Sequence, residues 1–236
     1  MGKLSEITLG RRELPARCLI LGGVYVPSRA EVIAKQFDTW SEPRGEWVKH
    51  AYAKKGGKEY LICFNVYGAA TTLELLHLLS DGRARSAFFV GSMGSGRLEI
   101  GTLVLPDRVV DRAGIVQLDD PSRPYVEPDP KSISKIERVL KAHDVPFVRG
   151  TTCSVPAVLH NLKPVKRFLA SHRGILGVEL ELSTFHYFGP KLGLKTMGLL
   201  YVWDNPKHGI VSGPRTVWKV RLDTLGLATE IALAVL

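Results

Sequence analysis

The stretch Ala87-Phe88-Phe89-Val90-Gly91-Ser92-Met93-Gly94-Ser95-Gly96 sets the reading of the whole chain. Ala87 to Val90 is a short apolar run of the kind that forms a strand buried on both faces, and the glycines after it predict a loop at the strand's carboxyl end. Thr102 to Val110 adds a second strand pattern, so two strands flank a glycine loop. The same grammar recurs upstream. Leu19-Ile20-Leu21 stops at Gly22-Gly23, and Ser28 then opens a helix through Phe37, with Glu31 completing a capping box. Tyr60 to Val66 reads as a strand ended by Gly68, and Leu73, Leu76 and Leu79 recur at helical spacing up to Ser80-Asp81-Gly82.

Downstream, Pro121, Pro124, Pro128 and Pro130 make Asp119 to Pro130 an extended surface excursion. Ser132 to Ala142 is then helical, Phe147 to Arg149 a strand, Lys163 to Ser171 a basic amphipathic helix and Ile175 to Val178 a strand. Leu182, Phe185 and Leu192 mark a helix ended by Gly193, Lys195 to Val202 a strongly apolar strand, and Arg215 to Leu236 partly a closing helix. Strands that alternate with helices predict an α/β fold of three layers, α/β/α, with a mixed central sheet. The expectation is a single domain over residues 1–236.

The composition supports an ordinary globule. With 45% hydrophobic and 23% charged residues, a chain of 236 residues can bury on the order of 70% of its unfolded surface. Cys18, Cys63 and Cys153 are too few for a disulfide framework and lack metal-ligand spacing, which points to a reducing cytoplasm. No secretory leader pattern opens the chain and no apolar run is long enough to span a bilayer, so a membrane partner is disfavoured. The formal charge of +9 invites a nucleic-acid reading. The distribution argues against it: Arg44, Lys49, Lys54, Lys55 and Lys58 form one cluster and Lys163, Lys166, Arg167 and Arg173 another, neither interleaved with aromatics. Such a field still draws small anions such as phosphate esters.

In sheets of this kind ligands bind beyond the carboxyl ends of the strands. Polar residues follow apolar strands at Gly22-Gly23 with Arg29, at the Gly91 to Gly96 run, at Glu179 and Glu181 after Val178, and at Asp204 after Val202. The glycine run has neither the dinucleotide fingerprint nor a P-loop ending; its backbone N–H groups and the Ser92 hydroxyl suit an anion nest, and a plain tight turn is the other reading. Glu179 and Glu181 alternate with Val178 and Leu180, so both carboxylates can face one side, where buried carboxylates need donors such as a sugar diol. The other reading makes one of them the cap of the helix starting near Leu182. Asp204 is either a lone functional carboxylate or a turn cap with Asn205-Pro206.

These places, in order from Leu19 to Gly213, resemble the nucleoside phosphorylase and nucleosidase family that includes purine nucleoside phosphorylase, uridine phosphorylase and AMP nucleosidase. Gly91-Ser92-Met93-Gly94 followed by Ile100-Gly101-Thr102-Leu103-Val104-Leu105 is similar to the family's glycine loop and next strand, with Thr102 replacing the usual Asp. Gly177-Val178-Glu179-Leu180-Glu181 is similar to Gly-Val-Glu-Met-Glu, and Val202-Trp203-Asp204 to the Val-Ser-Asp of purine-specific members. Asp204-Asn205-Pro206-Lys207-His208-Gly209 also resembles AMP nucleosidase.

The resemblance implies cleavage of a purine nucleoside's N-glycosidic bond, by phosphorolysis first and by hydrolysis as the alternative. A nucleoside-binding protein without turnover is the rival from another class. Glu181 would hold the 2′- and 3′-hydroxyls, and Asp204 would protonate purine N7. Glu179, Leu180, Gly94 and Cys153 would complete the substrate contacts, while Gly22, Arg29 and Ser92 surround phosphate. Arg44 would reach a neighbouring subunit's phosphate site in a homo-oligomer, a dimer or a trimer of dimers. No metal or cofactor is implied beyond inorganic phosphate as co-substrate. Two departures count against phosphorolysis: Phe89 stands where phosphorylases carry an Arg, and the first histidine is His50. His160, His172 and His186 read as surface or interface residues.

Overall fold

The computed structural model describes residues 2–157, 162–208 and 213–236. His160, Gly209 and the side chains of Lys163 and Lys166 lie outside the described residues. Its hub is β5 (Ser86–Gly94), which runs parallel to β1 (Arg17–Gly22) on one side and to β10 (Lys195–Asp204) on the other. Ala87 pairs with Cys18 and Thr196 in those two ladders. Beyond β1 the sheet continues through parallel β4 (Lys58–Val66) to antiparallel β3 (Lys49–Lys55) and β2 (Thr39–Trp40).

Beyond β10 the sheet turns back on itself. β10 is antiparallel to β6 (Leu103–Asp111), β6 is parallel to β8 (Phe147–Ser154), and β8 is parallel to β9 (Ile175–Glu179). β9 meets β5 again at Val178 and Gly94, so β5, β10, β6, β8 and β9 close a ring. Gly177 of β9 allows that closure: a Cβ there would fall 2.3 Å from the Gly94 carbonyl oxygen. β7 (Tyr125–Val126) adds to β6 and places a short strand inside the proline-rich segment.

Helices cover both faces, as the alternating pattern requires. α2 (Pro27–Ala34), α5 (Pro130–Ala142) and α8 (Arg215–Val235) contribute Ile33, Ile136 and Ile231 to the core cluster that includes Phe88, Val90 and Tyr201. α1 (Lys3–Leu9), α3 (Ala69–Asp81) and α7 (Leu182–Lys191) contribute Leu9, Leu75 and Phe185 to the other, which includes Phe89, Leu200 and Val202. α4 (Ile115–Asp119) lies between β6 and β7 in the chain, and α6 (Leu162–Ser171) precedes β9.

Several sequence expectations need correction. Gly91 to Gly94 is strand and not loop, because β10 pairs with it from Leu200 at Gly91 to Asp204 at Gly94. A Cβ on Gly91 would meet the Phe89 ring at 2.4 Å, so the glycine makes room for a neighbour and not for a turn. Ser28 does not cap α2; Val26 is the flanking residue and Pro27, whose fixed φ and missing N–H suit a first turn, begins the helix. The helix α5 starts before Ser132, capped by Asp129, which accepts from the backbone N–H groups of Lys131 and Ser132 at 3.2 and 3.1 Å. His186 is a core residue of α7, 5% exposed, with its ring against Phe185 and Nδ1 near the Thr196 hydroxyl. Burial pushes its pKa down to about 3.

Candidate active site

The carboxyl ends of β1, β5, β9 and β10 surround a cavity of about 520 Å³, lined among others by Gly23, Arg29, Tyr67, Ser92, Gly94, Leu180, Glu181, Trp203, Asp204 and Trp218. One wall is acidic. β9 ends on Glu179, whose Oε2 accepts from the backbone N–H groups of Glu181 and Leu182, both at 2.7 Å. Glu179 therefore caps α7. The Ser154 hydroxyl donates to the other oxygen, accepts in turn from the Ser183 backbone N–H at 2.9 Å, and the Ser183 hydroxyl donates to Asp111 Oδ1 at 2.7 Å. Burial pushes the Glu179 carboxyl up, against the pull of these hydrogen bonds.

Glu181 is held differently. Its Oε1 accepts from Gly68 N–H at 2.7 Å and its Oε2 from Leu180 N–H at 3.2 Å. Gly68 can present that N–H because it flanks α3 at φ 87°, ψ 164°, a conformation open to glycine alone. Burial, and then the neighbouring Glu179 charge, push the Glu181 carboxyl up to about 8. A diol donating two hydrogen bonds to this carboxylate would relieve that cost. Tyr67, exposed at 47%, also lines the cavity, and its phenol is pushed up by burial and by both Glu181 and Asp204.

Asp204 ends β10 just past a bulge after Val202 that breaks the register with β5. It is half-buried, and its Oδ2 lies 3.0 Å from where a Cβ on Gly94 would stand, so any larger residue there would crowd the carboxylate. Burial raises its pKa, opposed by the positive charge of Arg221. The turn after it is held by Asn205, whose Oδ1 accepts from Lys207 and His208 N–H at 3.1 and 2.9 Å.

The remaining wall is cationic and aromatic. Arg29, 9% exposed, donates to the carbonyls of Val24 and Gly22 at 3.2 and 3.1 Å and to the Tyr201 hydroxyl at 3.0 Å. Around Gly23, at φ 96°, Arg29 Nη1 and the Ser92 hydroxyl come within 3.2 and 3.7 Å of the place of an added Cβ. Arg221 of α8 is fully buried and donates from Nε to the Trp203 carbonyl at 2.7 Å.

The structure thus brings Arg29, Ser92, Gly94, Glu179, Leu180, Glu181 and Asp204 to one cavity. It leaves three predicted residues off its lining. Gly22 faces the Phe89 ring, 2.5 Å from an added Cβ, and only its carbonyl serves the site, through Arg29; Gly23 is the lining residue. Cys153 is packed against Val155, Ile175, Val178 and Leu180, its thiol pushed up to about 12 by burial. Arg44 is paired with His50 through its backbone, and its Nε donates to His50 Nε2 at 3.3 Å. Tyr67, Trp218 and Arg221 were not singled out from sequence, although Trp218 and Arg221 stand three apart, on one face of α8.

Residues 19–234 match the family profile described as the Phosphorylase superfamily. The chain belongs to that superfamily of nucleoside phosphorylases and nucleosidases. It is 32% identical over 106 residues to the DeoD-type purine nucleoside phosphorylase of Clostridium novyi (strain NT), a match spanning 43% of this chain and 44% of that relative. The crystal structure of uridine phosphorylase from Vibrio fischeri ES114 has a TM-score of 0.81 at 19% identity, over 94% of this chain and 92% of the other. The Campylobacter jejuni 5′-methylthioadenosine/S-adenosyl homocysteine nucleosidase has a TM-score of 0.75 at 12% identity, over 93% and 97% of the two chains. These likenesses establish the phosphorylase fold.

Proposed function

We propose that this chain cleaves the N-glycosidic bond of a purine nucleoside with inorganic phosphate as nucleophile, releasing free base and ribose 1-phosphate. The observation that carries this reading is Arg29, a buried guanidinium whose hydrogen bonds go to neutral oxygens, beside the Ser92 hydroxyl in the cavity that Glu181 and Asp204 line. A buried cation so held favours an anion within reach. A phosphate oxygen would attack C1′ as the C1′–N9 bond breaks, with positive charge building on the ribose and the bonding electrons leaving with the base. Glu181, ionised and bonded to the 2′- and 3′-hydroxyls, would stabilise the ring charge. Asp204 would give its proton to N7, a position that a departing pyrimidine lacks. No metal or further cofactor enters this scheme.

Hydrolysis is the second reading, favoured by Phe89. Its ring fills the space over Gly22 and Gly91 and packs 5.5 Å from Phe185, so the residue adds apolar contact and no charge to phosphate. Arg44 enters the scheme only as a contribution to the cavity of a second copy. Inosine, adenosine and uridine incubated with and without phosphate test the reading. Phosphate-dependent purine cleavage giving ribose 1-phosphate supports it; equal rates without phosphate favour the nucleosidase, and faster turnover of uridine removes the purine assignment.

A further inference from the structure

The surroundings of Trp203 are unusual for a core aromatic. It is 8% exposed and lines the cavity, with the Arg29 guanidinium carbon 5.1 Å and the Arg221 guanidinium carbon 5.0 Å from its ring centroid. Two other aromatics fix the plane of the indole. Trp218 meets it edge-on at 5.4 Å and 83°, and Tyr201 at 6.0 Å and 71°. Tyr201 also belongs to the polar network, accepting from Arg29 Nη2, while the Trp203 carbonyl accepts from Arg221 Nε and the Arg221 guanidinium lies over the Trp218 ring. A guanidinium is weakly hydrated on its faces and keeps its donors at its edge, so contact with an indole orients it without consuming a hydrogen bond.

We propose that Trp203 is a positioning residue for the anion site: its indole, in contact with both Arg29 and Arg221, holds the Arg29 guanidinium at Gly23 and Ser92 and thereby sets the affinity for phosphate. The inference rests on the reading of Arg29 and Ser92 as the phosphate site. Carbonyls on Gly22 and Val24 and the Tyr201 hydroxyl fix the edge of the guanidinium. The ring lies beside the guanidinium so held and adds resistance to tilting of its plane. A small residue at this position would leave that face to water, and the donors that meet phosphate would be spread over several orientations. Binding would then weaken while the sugar contacts at Glu181 stay in place.

The test compares Trp203→Phe, which keeps a ring, with Trp203→Leu, which keeps apolar bulk without one. Inorganic phosphate binding is measured by calorimetry on the free protein, KM is measured separately for phosphate and nucleoside, and thermal unfolding checks the fold. Trp203→Leu should raise the phosphate Kd and KM about tenfold with the nucleoside KM within about twofold, and Trp203→Phe should recover most of the loss. Should the leucine variant not fold, Trp203→Met takes its place, again apolar bulk without a ring, and should show the same loss of phosphate affinity. Unchanged phosphate binding in the variant without a ring, or equal losses in that variant and Trp203→Phe, would overturn the proposal while leaving the phosphate site intact. A wild-type protein that binds no phosphate would overturn the site itself and the proposal with it.

Discussion

The acidic wall of the cavity and its cationic wall are assembled in different ways. Glu179 and Glu181 come from one short stretch, and their oxygens are held by backbone N–H groups of Gly68, Leu180, Glu181 and Leu182. Arg29, Tyr201, Trp203, Trp218 and Arg221 come from α2, β10 and α8, and are held by carbonyls, a hydroxyl and ring faces. The difference follows from the chemistry of the charges. A strand end running into a helix N-terminus offers unpaired amides that suit a carboxylate locally. A guanidinium has five donors and two faces, and satisfying it takes groups from several elements at once. The acidic wall therefore draws mostly on local backbone, with Gly68 N–H and the Ser154 hydroxyl as its distant contacts, while the cationic wall depends throughout on how the helices pack on the sheet.

The largest effect is expected at Asp204, where the two walls meet through the charge of Arg221. Asp204→Asn should slow purine cleavage about 10²- to 10⁴-fold, as loss of general acid catalysis does, with little effect on any residual pyrimidine turnover. The acid must carry its proton, so wild-type activity should fall as pH rises past the raised Asp204 pKa. Steady-state rates across pH check both. Near wild-type inosine cleavage by the variant would make Asp204 a structural residue.

Glu181→Gln should lower turnover about 10²-fold, within the range seen when one charge-stabilising contact at a reacting centre is removed. Its stability should move the other way. The Glu181 pKa is raised on folding, so its favourable contribution is complete below the unfolded value and is lost as pH climbs toward about 8. The variant escapes that loss, and its Tm relative to wild type should rise between about pH 4.5 and 8 and then level off. A constant Tm difference across that window would show that the carboxylate pays no burial penalty.

A smaller effect separates holding from binding within the acidic wall. Ser154→Ala removes the hydroxyl that joins Glu179 to the Ser183 N–H, and should cost about 1 to 2 kcal/mol of stability in denaturant unfolding. Turnover should fall by less than about tenfold, because the groups in this link hold Glu179 and not the sugar. A loss as large as that of Glu181→Gln would place Glu179 in direct contact with substrate.

The two walls also differed in how far the sequence revealed them. Val178-Glu179-Leu180-Glu181 shows its alternation and its position before a helix within a few residues, and the apolar runs before Gly22, Gly91 and Asp204 expose the strands that carry the site. The cationic wall is legible only at Arg29, because whether Trp203 and Arg221 meet depends on how α8 lies against β10. Glycines misled for the same reason: Gly91 and Gly94 look like a loop, yet each leaves space for a neighbour's side chain, the Phe89 ring and the Asp204 carboxylate. In β3, Lys49, Lys54 and Lys55 hide a buried middle from His50 to Ala53, so the strand read as solvated charge. Cys153 and His186 sit in the core because of what packs over them, which no local pattern reports.

Following oxygen decides whether the acidic wall holds a ribose while the cationic wall supplies an anion as nucleophile. Inosine is cleaved in ¹⁸O-labelled water with unlabelled phosphate, and the sugar product is analysed by mass spectrometry. Ribose 1-phosphate free of label at C1′, formed at a rate that rises with phosphate, is the expected product. Labelled free ribose, at a rate indifferent to phosphate, would contradict it.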